Sequence, residues 1–202
     1  MEFVVIIAIL IMSVVIHEVS HGVAALGLGD STAKYQGRLT LNPFSHLDPV
    51  GSVIVPMIGY LLGGFIIGWA KPVPFNPYNL RNQKWGEAIV AAAGPISNIF
   101  IAIVFGLFIR FGAQSFNLNE TFISLASFVV IINITLAIFN LVPIPPLDGS
   151  KILFSLLPHH MQNIRHSIER YGLILVIIFV SIIWSAVSPF IYYLFTLITG
   201  LS

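Results

Sequence analysis

The chain has 202 residues, of which 57% are hydrophobic and 8% charged, with a formal net charge of +1 and a mean hydropathy of +0.95. Ordinary soluble domains carry roughly 25% charged residues, so a water-soluble fold, a disordered chain and a nucleic-acid binder with a basic face are all excluded. What remains is a polytopic membrane protein in contact with the lipid bilayer, and because it has no cysteine, any metal must be held by nitrogen and oxygen.

Taken in chain order, Phe3 to Leu28 is nearly unbroken apolar sequence. It begins Met1-Glu2 without a basic stretch and runs into polar residues, which marks a retained span rather than a signal peptide. Val50 to Trp69 is equally apolar, but Gly51, Pro56, Gly59, Gly63, Gly64 and Gly68 punctuate it. That density suits a re-entrant segment better than a regular helix. Ala88 to Phe111, Thr121 to Val142 and Gly172 to about Leu201 each satisfy the roughly 20-residue requirement of a span, and Pro189 predicts a kink or break near Ser188.

Between the spans, Thr32 to Leu41 is polar and β-tolerant, which predicts a short interfacial strand or hairpin. Lys71 to Trp85 carries three prolines and reads as a structured loop on the membrane. Lys151 to Arg170 reads as an interfacial helix with its connection. The expected fold is all-α, with about four transmembrane helices, a glycine-rich re-entrant segment and a short cytoplasmic-side β hairpin. Residues 1–202 form one membrane-embedded domain, with a core over about 3–152 and a C-terminal helical segment over about 172–201.

Charge placement selects a topology. If Val50 to Trp69 returns to the side it left, Lys34, Arg38, Lys71, Arg81, Lys84, Lys151, Arg165 and Arg170 share one face and only Arg110 lies opposite, 8 against 1. A full crossing changes the count to 3 against 6. The positive-inside rule prefers the first arrangement and makes the basic face cytoplasmic, in a multi-pass protein of the cell membrane.

His17-Glu18-Val19-Ser20-His21 is H-E-x-x-H. On a helix, residues i and i+4 share a face, so both imidazoles can bind one metal ion with Glu18 beside the open coordination position. Two histidines and a carboxylate are costly in a membrane helix without such a task, although a metal-free polar patch lining a cavity is the plainer alternative. A catalytic zinc site wants a third protein ligand. Of eight acidic residues, Asp148 stands out, because Asn140-Leu-Val-Pro-Ile-Pro-Pro-Leu-Asp148-Gly149 stops the third span and fixes a carboxylate there. Capping of the following helix is the competing role for Asp148.

HEVSH in the first span, AAAGPISN in the next and NLVPIPPLDG after the third together resemble the site-2 protease family of intramembrane zinc metalloproteases. The loop GWAKPVPFNPYNLRN is similar to that of the compact prokaryotic branch, which lacks PDZ or CBS domains. The resemblance covers Phe3 to about Ile152 and implies one zinc ion per chain, held by His17, His21 and Asp148, with Glu18 as the catalytic acid/base. It implies hydrolysis of peptide bonds in or near transmembrane segments of protein substrates. Topology supports the same grouping: His17 and His21 lie towards the exit end of span one, and Asp148 meets them only if Val50 to Trp69 re-enters, which places the active site near the cytoplasmic face.

In that mechanism zinc acidifies water, and Glu18 takes the proton and later returns it to the leaving amine. A substrate helix must unwind to expose its carbonyls, and Asn98 and Asn140 are the carboxamides that could bind its freed backbone or the oxyanion. Asn98 has a plain helix-contact alternative and Asn140 a loop-holding one. Thr32 to Leu41 could add an edge strand to an unwound substrate. His46, His159, His160 and His166 fall outside any ligand spacing, while Trp69, Trp85, Tyr192 and Tyr193 fit interfacial anchoring. A membrane metal-handling or transport protein is the rival function, and a proteolytically silent scaffold a third; an internal repeat would favour transport, and the chain has none. Substrate identity and oligomeric state are not written in the sequence.

Overall fold

The computed structural model describes residues 2–55, 57–58, 69–116, 118–157 and 162–201. Its first helix, α1 (Glu2–Gly27), is followed by a single helical turn, α2 (Thr32–Tyr35), and short 3-10 turns at Pro43–His46 and Pro77–Asn79. The long helices α3 (Gly86–Ser115) and α4 (Glu120–Leu141) form a hairpin, and the short α5 (Asp148–Leu156) leaves the second of them. Then α6 (Gln162–Ile178) passes through a π-helical turn at Phe179–Ile183 into α7 (Trp184–Thr199). Among the described residues, four helices are long and apolar enough to cross a membrane: Phe3–Gly27, Gly86–Gly112, Glu120–Leu141 and Ile168–Thr199. They match the four expected spans to within a few residues.

Small and branched residues let these helices approach closely, as expected where lipid removes the hydrophobic drive between helices. Ala102 and Ile109 of α3, Ala126, Val130 and Ile134 of α4, and Ile191 of α7 make one buried cluster. The outer faces carry Phe3, Val4, Phe100, Phe111, Leu173 and Ile182, all exposed and all apolar, as a lipid-facing surface requires.

Two expectations need correction. Thr32 to Leu41 is not a β hairpin: it is the turn α2 followed by irregular chain, and no strand occurs among the described residues. The backbone there pairs locally, with Arg38 N–H donating to Ala33 O at 2.9 Å, and the Thr40 carbonyl accepting from His46 Nε2 at 2.8 Å. Arg38 itself turns inward and donates to Lys71 O at 2.8 Å. Nor does the helix break at Pro189. It stays helical there because the Ser185 carbonyl, deprived of its usual N–H partner, accepts from Ser188 Oγ at 3.1 Å. The irregularity lies earlier, in the π turn.

Most of the glycine-rich segment, residues 59–68, lies outside the described residues, but both its ends are described. Trp69 N–H donates to Gly51 O at 3.1 Å, Ser52 Oγ donates to Trp69 O at 2.9 Å, and Lys71 N–H donates to His46 O at 2.8 Å. At the opposite end of the helices, Arg110 Nη1 donates to Leu197 O at 2.6 Å, which puts the solitary cation beside the last turn of α7. Lys151 and Arg165 lie at the other end, with Arg165 3.4 Å from Glu87 at the start of α3.

Candidate metal centre

The polar cluster is built by three elements at the end of the bundle away from Arg110. Helix α1 presents His17 and His21 on one face; α3 passes behind them; and the loop after α4 delivers Asp148 into the first turn of α5. His17 Nε2 is 3.1 Å from His21 Nε2, and Asp148 Oδ2 is 3.1 Å from the first and 3.2 Å from the second. All three residues are buried, and among the described residues they form the one group of three or more His, Asp or Glu side chains with converging ligand atoms.

The donor set fits zinc. Ligand atoms placed tetrahedrally about 2.0–2.1 Å from a zinc ion stand roughly 3.3 Å apart, close to the edges of this triangle. Gly94 keeps the site open: a Cβ there would lie 2.5 Å from His21 Nε2 and 2.6 Å from His17 Nε2. Gly149 serves the other side, since a Cβ would strike the Leu141 carbonyl and push Asp148 away. Burial alone would raise the Asp148 pKa, but hydrogen bonds with His17 and His21, and the charge of Lys151, hold its carboxyl well below the usual carboxylate range. It is therefore an anion, the form a metal needs. Its side chain makes no N-terminal cap; Leu147 holds that position.

Each imidazole is fixed from behind. His21 Nδ1 donates to Val90 O at 2.7 Å, and His17 Nδ1 is 2.6 Å from Asn98 Oδ1. Asn98 is fully buried in α3, with Nδ2 donating to Asn133 Oδ1 at 2.8 Å. The structure thus turns Asn98 towards a histidine. Asn140 is half-buried near the end of α4, donating to Leu136 O at 2.9 Å. A carboxylate oxygen of Glu18 accepts from Val73 N–H at 2.8 Å.

Several participants had no signal in the sequence. Val73 lies between two prolines in the loop after the glycine-rich segment. Lys151 Nζ stands 3.6 Å from Asp148 Oδ1 and 5.6 Å from the Phe75 ring. Asp30, fully buried, clasps that loop: it accepts from Asn76 N–H at 2.7 Å, Asn79 Nδ2 at 2.8 Å and Thr32 Oγ1 at 2.6 Å. His46 is buried away from the cluster, His166 is exposed 3.7 Å from Glu169, and His159 and His160 lie outside the described residues.

Residues 112–183 match the model of peptidase family M50. YwhC of Bacillus subtilis, named as a zinc metalloprotease, is 37% identical over 174 residues, which span 84% of this chain and 76% of that protein. The chain belongs to peptidase family M50. Rip2 of Mycolicibacterium smegmatis and Rip2 of Mycobacterium tuberculosis, also named as zinc metalloproteases, are 29% and 26% identical and are spanned to 66% of their length. No solved structure matches the chain at the same stringency. This M50 member is thus a zinc-dependent metalloprotease of the site-2 protease kind, with a protein substrate and a multi-pass membrane setting.

Proposed function

We propose that this M50 protein is an intramembrane protease whose zinc is held by His17, His21 and Asp148 and whose proton-handling group is Glu18. The observation that carries the reading is the convergence of two imidazole nitrogens and one carboxylate oxygen within 3.2 Å of one another, one residue from the carboxylate of Glu18. Zinc in that position supplies Lewis acidity, which brings water towards a pKa of about 7 and polarises a carbonyl.

This chain's own residues do the rest. The Glu18 carboxylate takes the proton from the attacking water, holds it on one oxygen, and delivers it to the nitrogen of the departing amine. Val73 N–H, bonded to Glu18, keeps that carboxylate from swinging away. Bonds from Asn98 and Val90 aim the two imidazoles. Asn140, half-buried where Asn98 is sealed, is the carboxamide we assign to the backbone of an unwound substrate, which needs new hydrogen-bond partners.

The substrate is a transmembrane segment of another protein, cut near the cytoplasmic face of the cell membrane, within a single domain that uses the whole chain. The basic residues support that side, since Lys151 and Arg165 lie at the metal-site end and Arg110 at the other. The reading includes re-entry of the glycine-rich segment, which is supported by the hydrogen bonds that join Trp69 to Gly51 and Ser52 at its two ends and by the parity that brings Asp148 to the histidines.

The test uses purified full-length protein in detergent with a single-span substrate. Wild type should cleave it, and both a chelator and Glu18→Gln should abolish cleavage, with zinc content unchanged in the variant. Full activity in Glu18→Gln would overturn the assignment.

A further inference from the structure

Arg38 is a buried cation that the metal centre does not use. Among the described residues no carboxylate pairs with it, and its Nε has no hydrogen-bond partner. A buried charge without a counter-ion is costly. What Arg38 does hold is a pair of backbone carbonyls: Nη2 donates to Lys71 O at 2.8 Å and to Pro72 O at 3.4 Å.

Those carbonyls head the segment that reaches Glu18. Pro72 and Pro74 have no N–H, so Val73 supplies the only backbone donor of residues 72–74, and it goes to Glu18 Oε2 at 2.8 Å. The Pro72–Val73 peptide is trans, so its carbonyl and its N–H point to opposite sides of one rigid plane. Arg38 thus grips one edge of that plane and Glu18 takes the other. A cation on the carbonyl also polarises the amide and strengthens its N–H as a donor.

Arg38 is itself anchored to the helix that carries Glu18. Its N–H donates to Ala33 O at 2.9 Å, and Ala33, Leu39 and Val73 all meet α1 at Gly22, one turn on from Glu18 and on the same face. A Cβ at Gly22 would lie 2.5 Å from Leu39 Cδ2, 2.8 Å from Val73 Cγ1 and 3.3 Å from Ala33 Cβ. The missing side chain lets the 33–39 segment and the loop after the glycine-rich segment lie together against α1, within reach of one guanidinium. We infer that Arg38 is a positioning residue for Glu18: by holding the Lys71 and Pro72 carbonyls it fixes the Pro72–Val73 peptide so that the Val73 N–H keeps the Glu18 carboxylate in place. The inference rests on Glu18 being the proton-handling group for its effect on cleavage, whereas the grip on the peptide is a property of the protein alone.

The experiment reads both. Hydrogen exchange of the Val73 amide is followed by NMR on full-length protein in micelles, and cleavage of a single-span substrate is measured on the zinc-loaded enzyme. The variants are Arg38→Met, Arg38→Lys, Val73→Pro and the double variant Arg38→Met/Val73→Pro. Arg38→Met should exchange its Val73 amide at least about 10-fold faster than wild type, with the amides of α3 unchanged. It should keep its zinc and its KM and lose about 10–100-fold in kcat. Arg38→Lys, which keeps a cation on a shorter stem, should fall between the two and carries the same readouts if the methionine variant does not fold. In the Val73→Pro background, where the amide is already gone, Arg38→Met should change kcat by no more than about 3-fold. Unchanged Val73 exchange in both Arg38 variants, a full further loss of kcat in the double variant, or a fall confined to KM would overturn the positioning role. A wild type that cleaves nothing would overturn the protease reading, and the Val73 exchange rates would still decide the grip.

Discussion

The Val73 amide donates to a carboxylate oxygen of Glu18 across 2.8 Å, joining the loop after the glycine-rich segment to the first span. Because the bond comes from backbone, it can be removed by proline and survives other side chains. Val73→Pro should therefore keep its zinc and lose about 10–100-fold in the rate of substrate cleavage, while Val73→Ala keeps a rate within a few-fold of wild type. Equal rates in the two variants would mean that Glu18 needs no such anchor. The neighbouring residues, Pro72 and Pro74, already hold extended backbone that tolerates a further proline.

Gly94 gives a test in which stability and metal binding move in opposite directions. Alanine is favoured over glycine in a helix interior by about 1 kcal/mol, so Gly94→Ala should not weaken α3 through propensity. Its Cβ would nevertheless fall 2.5 Å from His21 Nε2 and 2.6 Å from His17 Nε2. We expect zinc affinity at least about 10-fold lower, with the helical circular dichroism of wild type. Elemental analysis after dialysis against a graded chelator would report it, and full zinc retention would show that Gly94 lies clear of the bound ion.

Asp148 should be required for metal in a way its neighbour Lys151 is not. Asp148→Ala and Asp148→Asn both remove the anion whose Oδ2 meets the two histidines, and each should lose most of the bound zinc. Lys151 contacts only the other oxygen, at 3.6 Å, and Lys151→Met should keep the metal. An Asp148→Asn protein that holds zinc at wild-type affinity would refute the third ligand.

Asp30 ties the first connection to the loop that carries Val73, and this predicts an acid-sensitive clasp. Burial alone would raise its pKa, but bonds from Thr32, Asn79 and Asn76 outweigh that and hold the carboxyl below its ordinary value of 3.8. A depressed folded-state pKa contributes stability that is fully present above the unfolded value and lost as pH falls through the folded one. Its contribution should therefore hold from neutrality down to about pH 4 and fade below it. Asp30→Ala should cost about 2–3 kcal/mol at neutral pH, read by chemical or thermal unfolding in detergent, and should flatten the pH dependence below pH 4.

Topology can be read on this cysteine-free chain. Tyr35 and Tyr78 are 86% and 88% exposed on either side of the glycine-rich segment, and Phe116 is 68% exposed at the far end of α3. Single cysteines at Tyr35 and Tyr78 should react with a membrane-impermeant thiol reagent only from the cytoplasmic side, and one at Phe116 only from outside. Labelling of Tyr35→Cys and Tyr78→Cys from opposite sides would sink the re-entrant assignment.

Apolar run length determined the four spans by itself, because a bilayer demands about 20 apolar residues whatever the tertiary contacts. The pairing of His17 with His21 was equally local, fixed by the helical repeat. The proline run also marked Asp148, but its contact with the histidines depends on how four helices and a loop return to one end of the bundle. Thr32 to Leu41 shows the limit from the other side: its composition suits a strand, yet its backbone pairs locally between Arg38 and Ala33 and its Thr40 carbonyl goes to the His46 side chain, and no propensity encodes that choice. Asn98 looked like a group for substrate, and only packing decides that its carboxamide faces His17. Asn133 and Asp30 carry no motif, and Val73 is unmarked within its proline-rich loop, because each acts through a partner far away in sequence, and such pairings exist only once the chain has closed on itself.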